Sequence, residues 1–162
     1  MGKFNSSTNN DLQEVVPVPP PNTTLLDGGN YGLPAYWNGN IYTTGQNFPL
    51  SQFQISNGTI ATPQLAKSSN MFPPRGGIPA VSANGTTGGI VWIVDYAGWA
   101  GNTPSILDAY DATNVGTLLF SSPASGAGAA GPSVKWSVPT VANGRVYVGG
   151  QYTFTVFGLL PN

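Results

Sequence analysis

Short apolar runs separated by turn-forming residues make up most of this chain. Val, Ile and aromatic residues cluster in runs such as 91–94 and 146–148, and Asn-Gly or Gly-Gly pairs interrupt the runs. These pairs accept the positive φ angles that tight hairpins need. No window keeps an apolar residue at about every 3.6 positions, the period of an amphipathic helix. The pattern therefore predicts an all-β chain with almost no helix.

A phrase of proline followed by Asn-Gly recurs along the chain and leads each time into a short apolar strand. Its copies begin at Pro34, Pro79 and Pro139. Three residues past the glycine lies Tyr42 in the first copy and Tyr147 in the last. The same step leads from Gly89 to Trp92 in the middle copy if 86–88 is a loop insertion. The repetition indicates that the chain is built from copies of one β unit.

Each unit also predicts a second strand with a shared spacing. A Leu or Phe precedes an aromatic residue by three positions at 50 and 53, at 107 and 110, and at 154 and 157. We therefore expect antiparallel meanders in the segments 28–76, 77–137 and 138–162, after an extended proline-rich arm over 1–27. The expected strands cover 41–44, 50–55, 59–62, 90–95, 106–110, 116–121, 134–137, 145–149 and 152–158.

Four segments of these repeats carry a more specific pattern: 78–85, 88–92, 107–113 and 138–149. Together they resemble the closing blades of a quinoprotein-type (PQQ-like) β-propeller, over about residues 28 to 160. In that family each blade is a four-stranded antiparallel meander. The resemblance implies propeller-type four-stranded meanders, about two and a half blades that form an incomplete ring.

The family's blade-locking motif is matched only in part. Ala109 and Asp111 fit the start of the motif, and Phe120 stands near the place of its tryptophan. Asn114 and Val115 occupy the positions where Thr-Gly is usual. The resemblance therefore implies a structural role for the matching residues and a weaker link between neighbouring blades.

Aromatic and acidic side chains inside strands are expected to be structural. Trp92 and Trp136 fall in predicted strands, where aromatic residues mostly belong to the core. Asp108 and Asp111 lie three positions apart in one strand, and alternation sends them to opposite faces. We expect the Asp111 carboxylate to bond the backbone of the turn at 112–114 rather than to bind a ligand.

Three residues at and just after the end of one predicted strand form the candidate site. Asp95 ends the predicted strand 90–95, beside Tyr96. Trp99 follows in a loop, where an exposed indole favours contact with a ligand or partner. For Asp95 the alternative is plain solvation at the end of a strand.

Charged residues are sparse, and two residue types are missing. Five basic and six acidic residues make up 7% of the chain, against about 25% in an ordinary soluble domain. The basic residues are scattered, which argues against a nucleic-acid partner. Without cysteine or histidine, the chain forms no disulfide, no Cys/His metal site and no histidine-dependent triad. The longest apolar stretch is too short for a membrane-spanning helix.

These observations favour a non-catalytic propeller-type binding and assembly module that associates with itself into a ring or filament, and that needs no cofactor. The first alternative is a part of a PQQ-dependent quinoprotein oxidoreductase whose catalytic residues lie in absent blades, with PQQ and calcium as cofactors. The second is a structural protein of an extracellular fibre or coat. A polar, weakly charged surface is typical of secreted proteins, so we expect an extracellular or periplasmic location, although the first residues contain no apolar signal segment.

Overall fold

The computed structural model describes residues 29–72 and 76–158, and these form three antiparallel β-sheets. The all-β prediction is confirmed, since the helical structure of these residues amounts to one 3₁₀ turn, Ala97–Ala100. The expected arm over 1–27 lies outside the described residues. Within the described part of the chain, no helix is long and apolar enough to cross a membrane.

The first four strands of the first sheet lie side by side in chain order, and the fifth pairs with the third. Strand β3 lies in its middle and pairs with the second, fourth and fifth strands. The strands are β1 (Ala35–Trp37), β2 (Asn40–Thr43), β3 (Phe48–Ser56), β4 (Thr59–Ile60) and β5 (Ala66–Phe72).

The second sheet is a four-stranded meander, and the third is a meander of three strands. The second sheet contains β6 (Ala80–Asn84), β7 (Thr87–Asp95), β8 (Ile106–Asp111) and β9 (Leu118–Ser121). The third contains β10 (Thr140–Ala142), β11 (Arg145–Gly150) and β12 (Thr153–Phe157). All three sheets are open, and the described strands form no closed ring.

The Asn-Gly turns of the first and third repeats adopt the backbone that their sequence predicts, whereas Asn84 of the middle repeat ends strand β6. Asn38 and Gly39 have φ of 45° and 76°, and Asn143 and Gly144 have φ of 50° and 69°. Positive φ at both positions is the signature of a tight hairpin turn whose twist matches its strands. In each repeat the residues before Asn-Gly form the first strand of the hairpin, so β1, β6 and β10 were missed.

Two other expectations need correction. The residues 86–88 are no loop insertion, because Thr87 and Gly88 begin β7 and belong to a longer hairpin, whose register shifts between Ser82 and Asn84. The expected strand 134–137 is wrong, because this segment makes no strand pairing and Trp136 has φ of 66° there.

Strand β5 was missed because its four central residues, 67–70, are polar. Only Ser68 and Phe72 of its residues are buried, so the strand lacks the alternating apolar positions that sequence patterns detect. It is held instead by pairing with β3 and by the Ser68 hydroxyl, which accepts the N–H of Leu50 at 3.0 Å. Its place in the sheet follows from tertiary contacts.

The second sheet lies between the other two and contributes to two cores. One of its faces packs against the first sheet in a cluster of Tyr42, Leu50, Phe72, Val91, Ile93, Tyr110, Ala112 and Val115. The opposite face packs against the third sheet in a cluster of Val94, Leu107, Ala130, Val146 and Val148. Both faces of a β-strand are used, which explains the near-continuous apolar run of β7.

Hydrogen bonds lock the first sheet to the turn that follows β8. The Tyr42 hydroxyl donates to the carbonyl oxygen of Ala112 at 2.6 Å. The Gln52 amide donates to the carbonyl of Thr113 at 3.3 Å and accepts the N–H of Val115 at 3.2 Å. These side chains are buried, so the bonds satisfy backbone groups that water does not reach.

The close approach of the two sheets also needs a glycine. A Cβ atom added at Gly89 would lie 2.7 Å from the ring of Trp37. The same indole donates from Nε1 to the carbonyl oxygen of Gly85 at 2.9 Å. Trp37 therefore bridges from β1 to the start of the second sheet.

We expect Tyr42→Phe to lower the free energy of unfolding by about 1–3 kcal/mol, because the buried carbonyl of Ala112 loses its donor. Urea denaturation followed by circular dichroism measures the change. The control is Tyr152→Phe, since this side chain is 97% exposed and its loss should fall within about 0.5 kcal/mol. Equal effects of the two substitutions would show that the Tyr42 bond does not join the sheets.

Candidate functional site

The longest loops of the chain lie at one end of the molecule, which we call the loop end. Successive strands of a meander run in opposite directions, so the segments 76–79, 96–105 and 122–139 share one end and the Asn-Gly turns lie at the other. The N–H of Ser133 donates to the carbonyl of Thr103 at 2.8 Å, and Pro104 bridges to Pro132. The two longest loops therefore contact each other directly.

Aromatic side chains form a cluster at the loop end. The ring of Trp136 lies 6.3 Å from that of Tyr31 and 6.4 Å from that of Tyr96, measured between centroids. Next to Trp136 in sequence, the Lys135 ammonium lies 3.4 Å from the ring centroid of Trp99. This cation–π contact connects the 3₁₀ turn to the loop before β10. The structure thus brings two of the predicted contact residues, Tyr96 and Trp99, into one cluster.

The expectation that Trp136 lies in the core is wrong. The side chain is 41% exposed, as is that of Trp99. The positive φ of Trp136 is uncommon for a bulky residue and carries backbone strain. Trp92, by contrast, packs against the second core cluster and donates from Nε1 to the Ser82 hydroxyl at 2.8 Å. Only Trp92 meets the expectation, because it lies in a paired strand.

Asp95 is the last residue of β7 and directly precedes Tyr96 of the aromatic cluster. Its side chain is half-buried. One of its carboxylate oxygens accepts the N–H of Ala97 at 2.8 Å. Burial raises the pKa of Asp95 above its ordinary value, the Ala97 bond opposes this rise, and the nearby Asp108 carboxylate adds to it. Asp95 therefore supports the start of the 3₁₀ turn and interacts with a second acid.

Asp108 is a buried carboxylate on the same face of the second sheet as Asp95. It is 2% exposed, and its Oδ2 accepts from the Asn70 amide at 3.1 Å and from the Tyr110 hydroxyl at 3.2 Å. Its Oδ1 is buried without a hydrogen-bond partner. Burial, and then the Asp108 charge, raise the pKa of Tyr110.

Sequence reasoning missed the relation between these two acids. Strand β7 pairs with β8 so that Ile93 faces Asp108 and Asp95 faces Ile106. Asp95 and Asp108 are therefore diagonal neighbours on one face, at about 7–8 Å between Cα atoms. The register of the β7–β8 pair was the signal that would have revealed this juxtaposition.

The predicted turn bonds of Asp111 are present. Its Oδ1 accepts both the N–H and the hydroxyl of Thr113, each at 2.7 Å. These bonds lower the pKa of Asp111. Asp111 lies on the face opposite Asp108, as alternation predicts.

The other two motif residues lie on the strands that face or flank the third sheet. Ala109 is buried in β8. Phe120, 42% exposed in β9, makes an edge contact with Phe157 of the third sheet at 6.2 Å between ring centroids. Phe120 thus contacts the next sheet from the position where the resemblance places a docking aromatic residue.

Comparison with protein-family models, curated protein sequences and solved structures finds no significant match to this chain. The resemblance to PQQ-like blades therefore rests on the residues of the repeats alone. Within the described residues, no group of three or more Asp, Glu, His or Cys side chains is arranged to hold a metal ion. The loop end contains the exposed rings of Tyr31, Trp99 and Trp136 and the buried ring of Tyr96, and Asp95 lies at the end of β7 beside them.

We expect Asp111→Ala to lower the free energy of unfolding at pH 7 by about 1 kcal/mol, because two hydrogen bonds of the turn are lost. The wild-type contribution is fully present above the unfolded pKa of about 3.9 and disappears as the pH falls through the lower folded pKa. Urea denaturation between pH 7 and pH 2 measures this dependence. Asp111→Asn keeps an oxygen acceptor, so it should retain most of the stability and lose the acid dependence. An acid dependence unchanged in both variants would contradict the assignment.

Proposed function

We propose that this chain is a non-catalytic module that assembles with copies of itself by stacking sheets of propeller type. Three observations support the proposal: an uncovered face of the third sheet, a matching face on the first sheet, and an open edge at β12. The first of these carries the argument.

We call the face that a sheet turns toward the sheet after it the forward face. Each of the three repeats places an equivalent aromatic residue on this face. Tyr42 of the first sheet is fully buried against the second. Trp92 of the second packs against the cluster shared with the third. Tyr147 is their equivalent in β11, and Val146 and Val148 beside it point back to the second sheet. The forward face of the third sheet therefore has no following sheet among the described residues.

That uncovered face is apolar and aromatic. Tyr147 lies directly opposite Val156, and its ring lies 6.1 Å from that of Phe154. Phe154 is 69% exposed and Val156 48%. Clustered exposed apolar residues on one sheet face mark an interaction surface.

A second copy of the chain offers the matching surface. The first sheet turns Tyr36 and Ile41 away from the second sheet, and these two residues pair across β1 and β2. Tyr36 is 65% exposed. The equivalents of Ile41 are Val91 in the second sheet and Val146 in the third. Each of them packs against the preceding sheet. A head-to-tail contact between copies would repeat this packing and produce a ring or an open filament.

The edge of the third sheet gives independent support. Among the described strands, β12 pairs only with β11, so the third sheet has one strand fewer than the second. Its sequence, Thr-Phe-Thr-Val-Phe at 153–157, carries no charge. An unprotected edge of this kind readily pairs with a further strand. The proline-rich segment 15–26 of a neighbouring copy is the proposed donor, and it lies outside the described residues.

We expect the purified chain to be oligomeric at micromolar concentration and Phe154→Ser to shift it toward the monomer, because the substitution removes the largest exposed ring of the forward face. Light scattering coupled to size-exclusion chromatography measures the mass. The control is Leu65→Ser, since Leu65 is 61% exposed but lies in the connection between β4 and β5. A folded wild-type monomer, unchanged by deletion of residues 1–27, would overturn the proposal.

We also expect the purified chain to show no PQQ-dependent oxidation of alcohols or sugars. The calcium of that cofactor takes about six to eight oxygen ligands with several carboxylates among them, and no three acidic side chains lie together among the residues that the structure describes. A dye-reduction assay with PQQ and calcium tests this expectation. Turnover that disappears in Asp95→Ala or Asp111→Ala would favour the quinoprotein alternative.

A further inference from the structure

We propose that Asp95 and Asp108 bind a calcium ion at the seam between the first and second sheets. The site is independent of the assembly proposed above, because both acids lie away from the forward face of the third sheet. It rests on the juxtaposition of the two carboxylates and on the unsatisfied oxygen of Asp108.

The register of β7 and β8 fits a bridging cation. Asp95 and Asp108 are diagonal neighbours on the face that packs against the first sheet. Their Cα atoms are separated by about 7–8 Å, and Cβ atoms by somewhat less. A calcium ion about 2.3–2.6 Å from an oxygen of each carboxylate spans this separation without a change of backbone.

Asp108 presents an oxygen that needs a partner. Its Oδ2 is bonded by two neutral donors, Asn70 and Tyr110. Its Oδ1 is buried and has none. A buried carboxylate oxygen without a donor or a cation destabilises the fold, so a bound partner at Oδ1 would stabilise it.

A cation satisfies Oδ1 better than a proton does. No hydrogen-bond donor reaches Oδ1, and a proton placed there would itself need an acceptor. A cation needs only oxygen ligands, and it also removes the repulsion between the acids. This repulsion is visible as the contribution of Asp108 to the raised pKa of Asp95.

The ligand set indicates calcium bound with modest affinity. Two carboxylates lie together, and the described residues contain no larger acidic group. Calcium accepts neutral oxygens and water in an irregular shell, whereas magnesium demands a near-ideal octahedron. Asp95 is only half-buried, so solvent reaches part of its side chain. Sites with few charged ligands bind calcium with Kd of about 10⁻⁴–10⁻³ M.

The test is a calcium titration of thermal stability. We expect the Tm of the wild-type chain to rise saturably with CaCl₂, with a midpoint of about 10⁻⁴–10⁻³ M. Asp95→Asn and Asp108→Asn should each abolish the rise, and Asp95→Asn alone should raise the Tm in EDTA because the repulsion is removed. Asp111→Asn is the matched control, because Asp111 lies on the opposite face of the same strand as Asp108, and it should keep the rise.

Terbium luminescence provides a second readout that does not depend on stability. Excitation of tyrosine should sensitise bound Tb³⁺ through Tyr110, and excess calcium should quench the signal. Repeating both measurements with Phe154→Ser separates the site from assembly, since the calcium response should persist in that variant. A wild-type chain without a saturable calcium response, or a response kept in both Asp95→Asn and Asp108→Asn, would overturn the proposal. If Asp108→Asn does not fold, Asp95→Asn decides alone.

Discussion

The hydrogen bonds that Tyr42 and Gln52 make to the turn after β8 hold the rest of the structure in place. They fix the first sheet against the second at a buried polar point of a largely apolar seam, beside Ala112 and Val115. Apolar packing alone leaves sheets free to slide, whereas bonds to named backbone atoms set one register. The Asp111 carboxylate keeps the turn in the shape that these bonds require.

Once that register is set, the positions of the functional groups follow. The face of the second sheet that meets the first contains Asp95 and Asp108 as well as apolar residues. The same strands continue into the loops that carry Trp99 and Trp136. The aromatic cluster and the carboxylate pair therefore lie at one end because both depend on β7.

The stacking of the sheets also explains why the ends of the molecule differ from its middle. The second sheet buries both faces, and four consecutive residues of β8, 107–110, are buried. The outer sheets bury one face each against it, and the third leaves Phe154 exposed. A repeated unit cannot bury its last face without a further unit, which is the physical reason for proposing assembly.

The sequence by itself determined the class of fold, the second strand of each repeat hairpin and the turn chemistry, because Asn-Gly pairs, strand alternation and the bonding of Asp111 depend on residues close together in the chain. It did not reveal β5 or the loop position of Trp136. The centre of β5 is polar and the strand is held by β3, and Trp136 is held by Tyr31 and Tyr96. Only the tertiary structure placed Asp95 beside Asp108, because the pairing of distant strands decides which side chains share a face.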